Sequence, residues 1–283
     1  MATPQEKLAD AREALRTLQG RGRVAIRSRD LSRTHRERLV KNGFLQEVMK
    51  GWYIPADSRG EAGDSTPWYA SFWDFGAAYL KERFGTDWCL APEQSLLLHA
   101  GNRTVPTMLH VRAPKGGNKL TQLPYGTSLM DARYPLPDEA QIVELDGLRL
   151  YSVPAALITC TAAFFRQAPT DVRAAMATIK DASDVLALLL AGGHSTIAGR
   201  LAGAFRNAGR TRIADDILKT MTTAGYTINE TDPFEYAPDA TVIQREDSPY
   251  VNPNRLMWER LRPAIIDVIP KAPGLPTDKA AYH

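Results

Sequence analysis

Eight Lys or Arg residues fall within Arg21–Lys41 (Arg21, Arg23, Arg27, Arg29, Arg33, Arg36, Arg38 and Lys41), against only Asp30 and Glu37. Guanidinium and ammonium groups at this density suit phosphate, and Arg also suits the edges of bases. The bias is local. Residues 1–54 hold twelve basic and six acidic side chains, a balance of +6, while the whole chain is only +3, so residues 55–283 sum to −3. A basic head on a slightly acidic body is the distribution of a small nucleic-acid-binding module. It does not suit a protein that coats RNA along its whole length.

Other chemistry finds less material. The five histidines (His35, His99, His110, His194 and His283) are scattered and show no HExxH spacing, so no metal site is expected. There is no GxSxG elbow and no GxGxxG loop. Asp138-Glu139 with Glu144 and Asp146 would suit a metal-dependent nuclease only with a lysine just after the second carboxylate, and Arg149 is the nearest base. The loop APKGGNK (113–119) would hold a phosphate through its backbone, but it lacks the Gly-Lys-Ser/Thr ending of a P-loop, and a plain surface turn is expected. Cys89 and Cys160 are the two cysteines, and buried free thiols are expected of them rather than a disulfide. No enzyme activity and no cofactor is expected.

The elements that must position the basic residues follow in order. Residues 4–19 carry Leu8, Ala11, Ala14, Leu15 and Leu18 at helical spacing. Val24–Ile26 is a strand stub. Ser32 caps a helix running to Asn42, which Gly43 closes. Leu39 and Val40 define its inward side, which leaves Thr34, Arg38 and Lys41 outward and Arg33 in the first turn, where a recognition helix presents its N-terminus. Arg36 falls near the core side. LQEVMK and WYIP, joined at Lys50-Gly51, read as a hairpin. The expected DNA contacts are therefore Arg33, Thr34, Arg38 and Lys41 toward the groove, and Arg27, Arg29 and Lys50 toward phosphates. Together, residues 1–56 read as a winged helix-turn-helix.

Residues 56–66 form a polar linker. Trp68–Phe84 is a helix rich in aromatics, and core packing is the expected use of those rings rather than base stacking. Strands are expected near 88–91, 105–111, 126–133, 140–145 and 148–152, with a short helix at 93–99 and a hairpin turn at Asp146-Gly147. Residues 67–152 thus form a small α/β domain. Residues 153–227 are helical, with starts at Ser152, Pro169, Asp181, Ser195 and near Ile213. Residues 228–283 comprise a linker, a terminal helix (252–269) and a Pro-rich tail. The hairpin 192–221 carries Arg200, Arg206, Arg210 and Arg212. These make either an ordinary packed helical pair or a second basic surface. No apolar run approaches the roughly 20 residues that span a bilayer, so no membrane partner is expected and the expected address is the cytoplasm.

Three stretches together carry a resemblance: LSRTHRERLVKNGFLQEVMKGWYIP; TPWYASFWDFGAAYLKERFG with LAPEQSLLLHAGNRTVP; and LRLYSVPAALI with STIAGRLAGAFRNAGRTRIADDI. They resemble the AbiEi-like type IV antitoxin and transcriptional regulator family, as found N-terminal to bacterial Fic-domain proteins. Residues 248–270 are similar to the helix that enters the Fic domain, but the HPFxxGNGR-type catalytic motif is absent. The resemblance implies an α+β chain: a winged helix followed by an α/β unit and a mostly helical C-terminal part. It also implies binding to double-stranded promoter or operator DNA, in a toxin–antitoxin or phage-defence operon, with a toxin or Fic-domain protein as a further partner. The alternative is a protein-interaction module that restrains such a partner.

Overall fold

The computed structural model describes residues 3–56 and 63–235, which lie in one compact unit, Met1–Tyr236. The expected terminal helix at 252–269 and the Pro-rich tail lie outside the described residues. The described chain is α+β.

The N-terminal part begins with α1 (Pro4–Gly20), whose Thr3 cap and Glu6 form a reciprocal capping box. Strand β1 (Ile26–Arg27) follows, then α2 (Arg33–Lys41), β2 (Leu45–Met49) and β3 (Trp52–Pro55). The strands make an antiparallel sheet in the order β1-β3-β2. Alternation splits the side chains of this sheet between two cores. Ile26, Leu45 and Tyr53 pack with Ala11, Leu15, Leu31 and Leu39. Val48, Trp52 and Ile54 instead join the aromatic core formed with the following segment. The basic module is therefore fused to the body through the back of its sheet.

Helix α3 (Thr66–Phe84) supplies Trp68, Phe72, Phe75, Ala77 and Leu80 to that second core. Trp68, Phe72 and Phe75 are buried, and Trp52 meets Phe75 edge-on at 5.7 Å. Strands β4 (Cys89–Leu90), β5 (Met108–Ala113), β6 (Lys119–Gln122) and β7 (Ser128–Arg133) form a mixed sheet in the order β4-β5-β7-β6, with β5 and β7 parallel. Strand β5 starts three residues later than the sequence suggests. Strand β6 has no counterpart in the sequence reading, because three of its four side chains are exposed and leave no apolar alternation. Helix α4 (Pro92–His99) lies between β4 and β5. A separate hairpin of β8 (Ile142–Leu145) and β9 (Leu148–Tyr151) turns at Asp146-Gly147 as expected, both residues having positive φ.

The helical part comprises α5 (Val153–Thr159), α6 (Ala162–Gln167), α7 (Pro169–Ala177), α8 (Ser183–Gly192), α9 (Ser195–Asn207) and α10 (Thr211–Thr223). Ser152 caps α5 as expected, but the backbone is extended at Cys160, so α6 is a separate turn of helix. His194, not Ser195, occupies the cap position of α9. The segment after α10 returns along α9. A Cβ at Gly199 would lie 1.9 Å from the Asn229 carbonyl oxygen, and one at Gly203 2.2 Å from that of Thr231. The two glycines are thus what lets this backbone lie against the helix.

Candidate nucleic-acid interface

Helix α2 begins where Ser32 places its hydroxyl to accept a hydrogen bond from the His35 amide at 3.2 Å. It is closed by Gly43 at φ 73°. Leu39 is fully buried and anchors the inner side against α1. The outer side is rotated from the expected one. Arg33, Thr34, Glu37, Val40 and Lys41 are the exposed residues, and at about 100° per residue they form one stripe centred on Glu37. Val40, assigned inward by the sequence, is 40% exposed. Arg38, assigned outward, is half-buried at the α1 side, where its Nη1 donates to the Lys7 carbonyl at 2.9 Å. Thr34 and Lys41 keep the outward placement. Arg36 is on the core side as expected, donating to the Ser28 carbonyl at 2.8 Å with its guanidinium 5.8 Å from the Tyr53 ring centroid.

On this stripe Arg33 and Glu37 form an i,i+4 ion pair at 2.7 Å. The mutual hydrogen bond and charge hold the Glu37 carboxyl below the usual carboxylate range and push the Arg33 guanidinium up. Both side chains are solvated, so the exchange of Glu37 for another anion costs little.

The connection from β1 to α2 is organised by two carboxylates. Asp30 accepts from the Arg27 amide at 2.8 Å and from Arg23 Nη1 at 3.1 Å, closing the turn. Glu82, near the end of α3, bridges the Arg27 and Arg29 guanidiniums, the latter at 2.9 Å. Arg27 also lies over the Trp52 ring, 4.6 Å from its centroid. The Ser28 amide donates to the Gly51 carbonyl at 3.0 Å, which sets this turn beside the tip of the β2–β3 hairpin. Lys50 is exposed at that tip. Arg29, Arg33, Thr34, Lys41 and Lys50 therefore remain at the surface, whereas Arg27 and Arg38 are half-buried and each meets a neighbouring element. Sequence reasoning missed Glu82, which lies 53 residues from Arg29 and has no local signal to mark it.

The second basic surface is largely internal. Arg200 Nη2 donates to the carbonyls of Leu157 and Cys160 at 3.3 and 3.2 Å, capping the end of α5, and burial lowers its pKa. Arg210 does the same for α7, reaching Met176, Ala177 and Ile179. Arg206 is held by Glu230 at 2.6 Å and Asp215 at 2.9 Å. Arg212 is exposed. The packed helical pair accounts for three of these four residues, since a cation committed to buried carbonyls or to two carboxylates is not offered to a ligand.

The 113–119 loop is likewise occupied from within. The buried Asp131 carboxylate accepts from the Gly117 and Lys119 amides at 2.9 and 3.0 Å and from Arg83 at 2.5 Å. The loop amides that would meet a phosphate already hold an anion. Asp146 pairs with Arg103 and Glu139 with Arg149. Among the described residues no group of three or more His, Cys, Asp or Glu residues is placed to hold a metal.

No helix among the described residues is long and apolar enough to cross a membrane. No family model matches the chain, and no curated protein matches it. Among solved structures it is similar to the crystal structure of the RV2827C protein from Mycobacterium tuberculosis, at 16% identity and a TM-score of 0.46, over 74% of this chain and 80% of that one.

Proposed function

We propose that the N-terminal module is a winged helix that binds double-stranded DNA, and that the chain is a transcriptional regulator of antitoxin type acting on its own operon. The observation that carries this reading is the common siting of three features. Helix α2 is short, capped and mostly polar, with Arg33, Thr34 and Lys41 exposed. The β2–β3 hairpin presents Lys50 at its tip, and the turn carrying Arg29 lies beside that tip. In such a module the helix enters the major groove and the hairpin and turn meet the flanking phosphates. Arg33 and Thr34, in the first turn of α2, face bases, while Lys41 and Lys50 meet phosphates and Arg29 lies beside them in its ion pair with Glu82. Arg38 is reassigned to holding α1 against α2.

A mobility-shift assay with the DNA upstream of the gene tests the reading. Binding is expected, with Thr34→Ala reducing discrimination between that DNA and a random duplex and Lys50→Ala weakening both alike. Absence of binding at every salt concentration overturns it. One observation favours a second reading: Val40 puts an apolar side chain on the exposed stripe, as in a protein-docking face. A toxin or Fic-domain protein encoded beside the gene, captured equally by wild type and a Lys41→Ala/Lys50→Ala variant but not by Val40→Asp, would support that module role.

A further inference from the structure

Two arginines beside the hairpin tip are already bound to an anion, and that anion belongs to the protein. Glu82 sits one residue from Arg83 near the end of α3, and its carboxylate is the shared partner of Arg27 and Arg29. Arg27 has a second contact, its guanidinium lying over the Trp52 ring, while Asp30 holds its backbone amide. Arg29 differs: its side chain is 67% exposed and Glu82 is the one carboxylate it meets among the described residues, itself 33% exposed. The pair therefore has one guanidinium stacked on an aromatic ring and one largely exposed, with a partly solvated carboxylate between them. A carboxylate and a phosphodiester present comparable oxygen pairs to arginine.

We infer that Arg27 and Arg29 form a phosphate site that Glu82 occupies intramolecularly, so that a DNA backbone phosphate binds there only by displacing the Glu82 carboxylate. The inference rests on the DNA-binding reading for the identity of the ligand, not for the existence of the anion site. The device lowers affinity for any polyanion and leaves base readout by α2 untouched, which raises the ratio of specific to random binding. It also ties the module to α3, so any event that moves α3 relative to β1 changes how available the site is.

Full-length wild type, Glu82→Gln, Arg29→Gln and the double variant are compared by fluorescence anisotropy on a short random-sequence duplex across a salt series. Glu82→Gln is expected to bind several-fold tighter at low salt, with a log K against log salt slope steeper by about 1 to 2, because each guanidinium that gains a phosphate adds roughly 0.9. Arg29→Gln should have little effect in wild type and a clear one in the Glu82→Gln background, the non-additivity expected of groups in one network. Unchanged or weaker binding by Glu82→Gln with an unchanged slope overturns the inference and makes Glu82 a structural tie. Tripolyphosphate binding by calorimetry is the arm that does not depend on DNA. Glu82→Gln should bind it more tightly than wild type, and Arg29→Gln should abolish the gain. If neither protein binds duplex but this pattern appears, the DNA reading fails and the anion site stands. If tripolyphosphate also fails to distinguish the variants, the site is refuted as well. Thermal melts confirm that each variant is folded, and Glu82→Asp, which keeps the charge on a shorter stem, should fall between wild type and Glu82→Gln.

Discussion

Replacing Arg38 with Ala separates the structural account of α2 from the one its sequence suggests. If Arg38 faced the groove, its loss would leave stability alone and weaken specific DNA binding. In the fold its Nη1 donates to the Lys7 carbonyl at 2.9 Å, tying the first turns of α1 to the middle of α2. A hydrogen bond from a charged donor contributes about 1.5–3 kcal/mol, and the solvent-exposed setting of this one lowers it to about 1 kcal/mol. For a folded unit of this size, about 1 kcal/mol moves Tm by roughly 2–4 °C, so a fall of that size is expected in thermal unfolding followed by circular dichroism. Lys41→Ala, fully on the exposed stripe, should leave Tm within about 2 °C, since surface substitutions mostly stay within roughly 0.5 kcal/mol, and should weaken duplex binding instead. An Arg38→Ala protein with unchanged Tm and lost sequence discrimination would refute this placement of the helix.

The two capping arginines make a matched test in the helical part. Arg210→Ala, which removes the partner of the Met176, Ala177 and Ile179 carbonyls, should destabilise by about 2 kcal/mol in urea unfolding, whereas exposed Arg212→Ala should be neutral, and neither should alter the salt dependence of DNA binding. The thiols of Cys89 and Cys160 are each pushed by burial from 9.0 up to about 12, so both should resist iodoacetamide at neutral pH and react once urea unfolds the chain. Because these folded-state values are raised, the stability they reflect is fully present below about pH 9. It is lost as pH rises toward 12, by up to about 1.4 kcal/mol per thiol per unit, so urea midpoints should fall above pH 9.

What was legible from sequence was local. Ser32, Gly43 and the turns at Lys50-Gly51 and Asp146-Gly147 act through their own backbone and nearest neighbours, and each appears where their chemistry requires. The aromatic stretch 68–84 was legible because Trp68, Phe72 and Phe75 recur at helical spacing on one face. Strand β6 was not, because an exposed edge strand has no apolar alternation to show. The face of α2 was misjudged at Val40 and Arg38 because Leu39 is the one buried residue in a helix of nine, too little to fix a rotation. The uses of the arginines were hidden for another reason. Charge density is a property of the segment, but the partners that engage it are tertiary. Glu82 for Arg29, the Lys7 carbonyl for Arg38 and the Ile179 carbonyl for Arg210 lie 53, 31 and 31 residues away.

The central claim is that α2 and the hairpin tip meet the DNA backbone together, and the salt dependence of duplex binding measures this most directly. With Lys41 and Lys50 on phosphates, Arg33 in the groove and Arg29 held by Glu82, about three cations replace counterions, which gives a log K against log salt slope of about −2 to −3. The Lys41→Ala/Lys50→Ala variant should bind the same duplex with a slope of about −1 while keeping the wild-type Tm. A wild-type slope near zero, or one that both lysine substitutions leave unchanged, would contradict the claim.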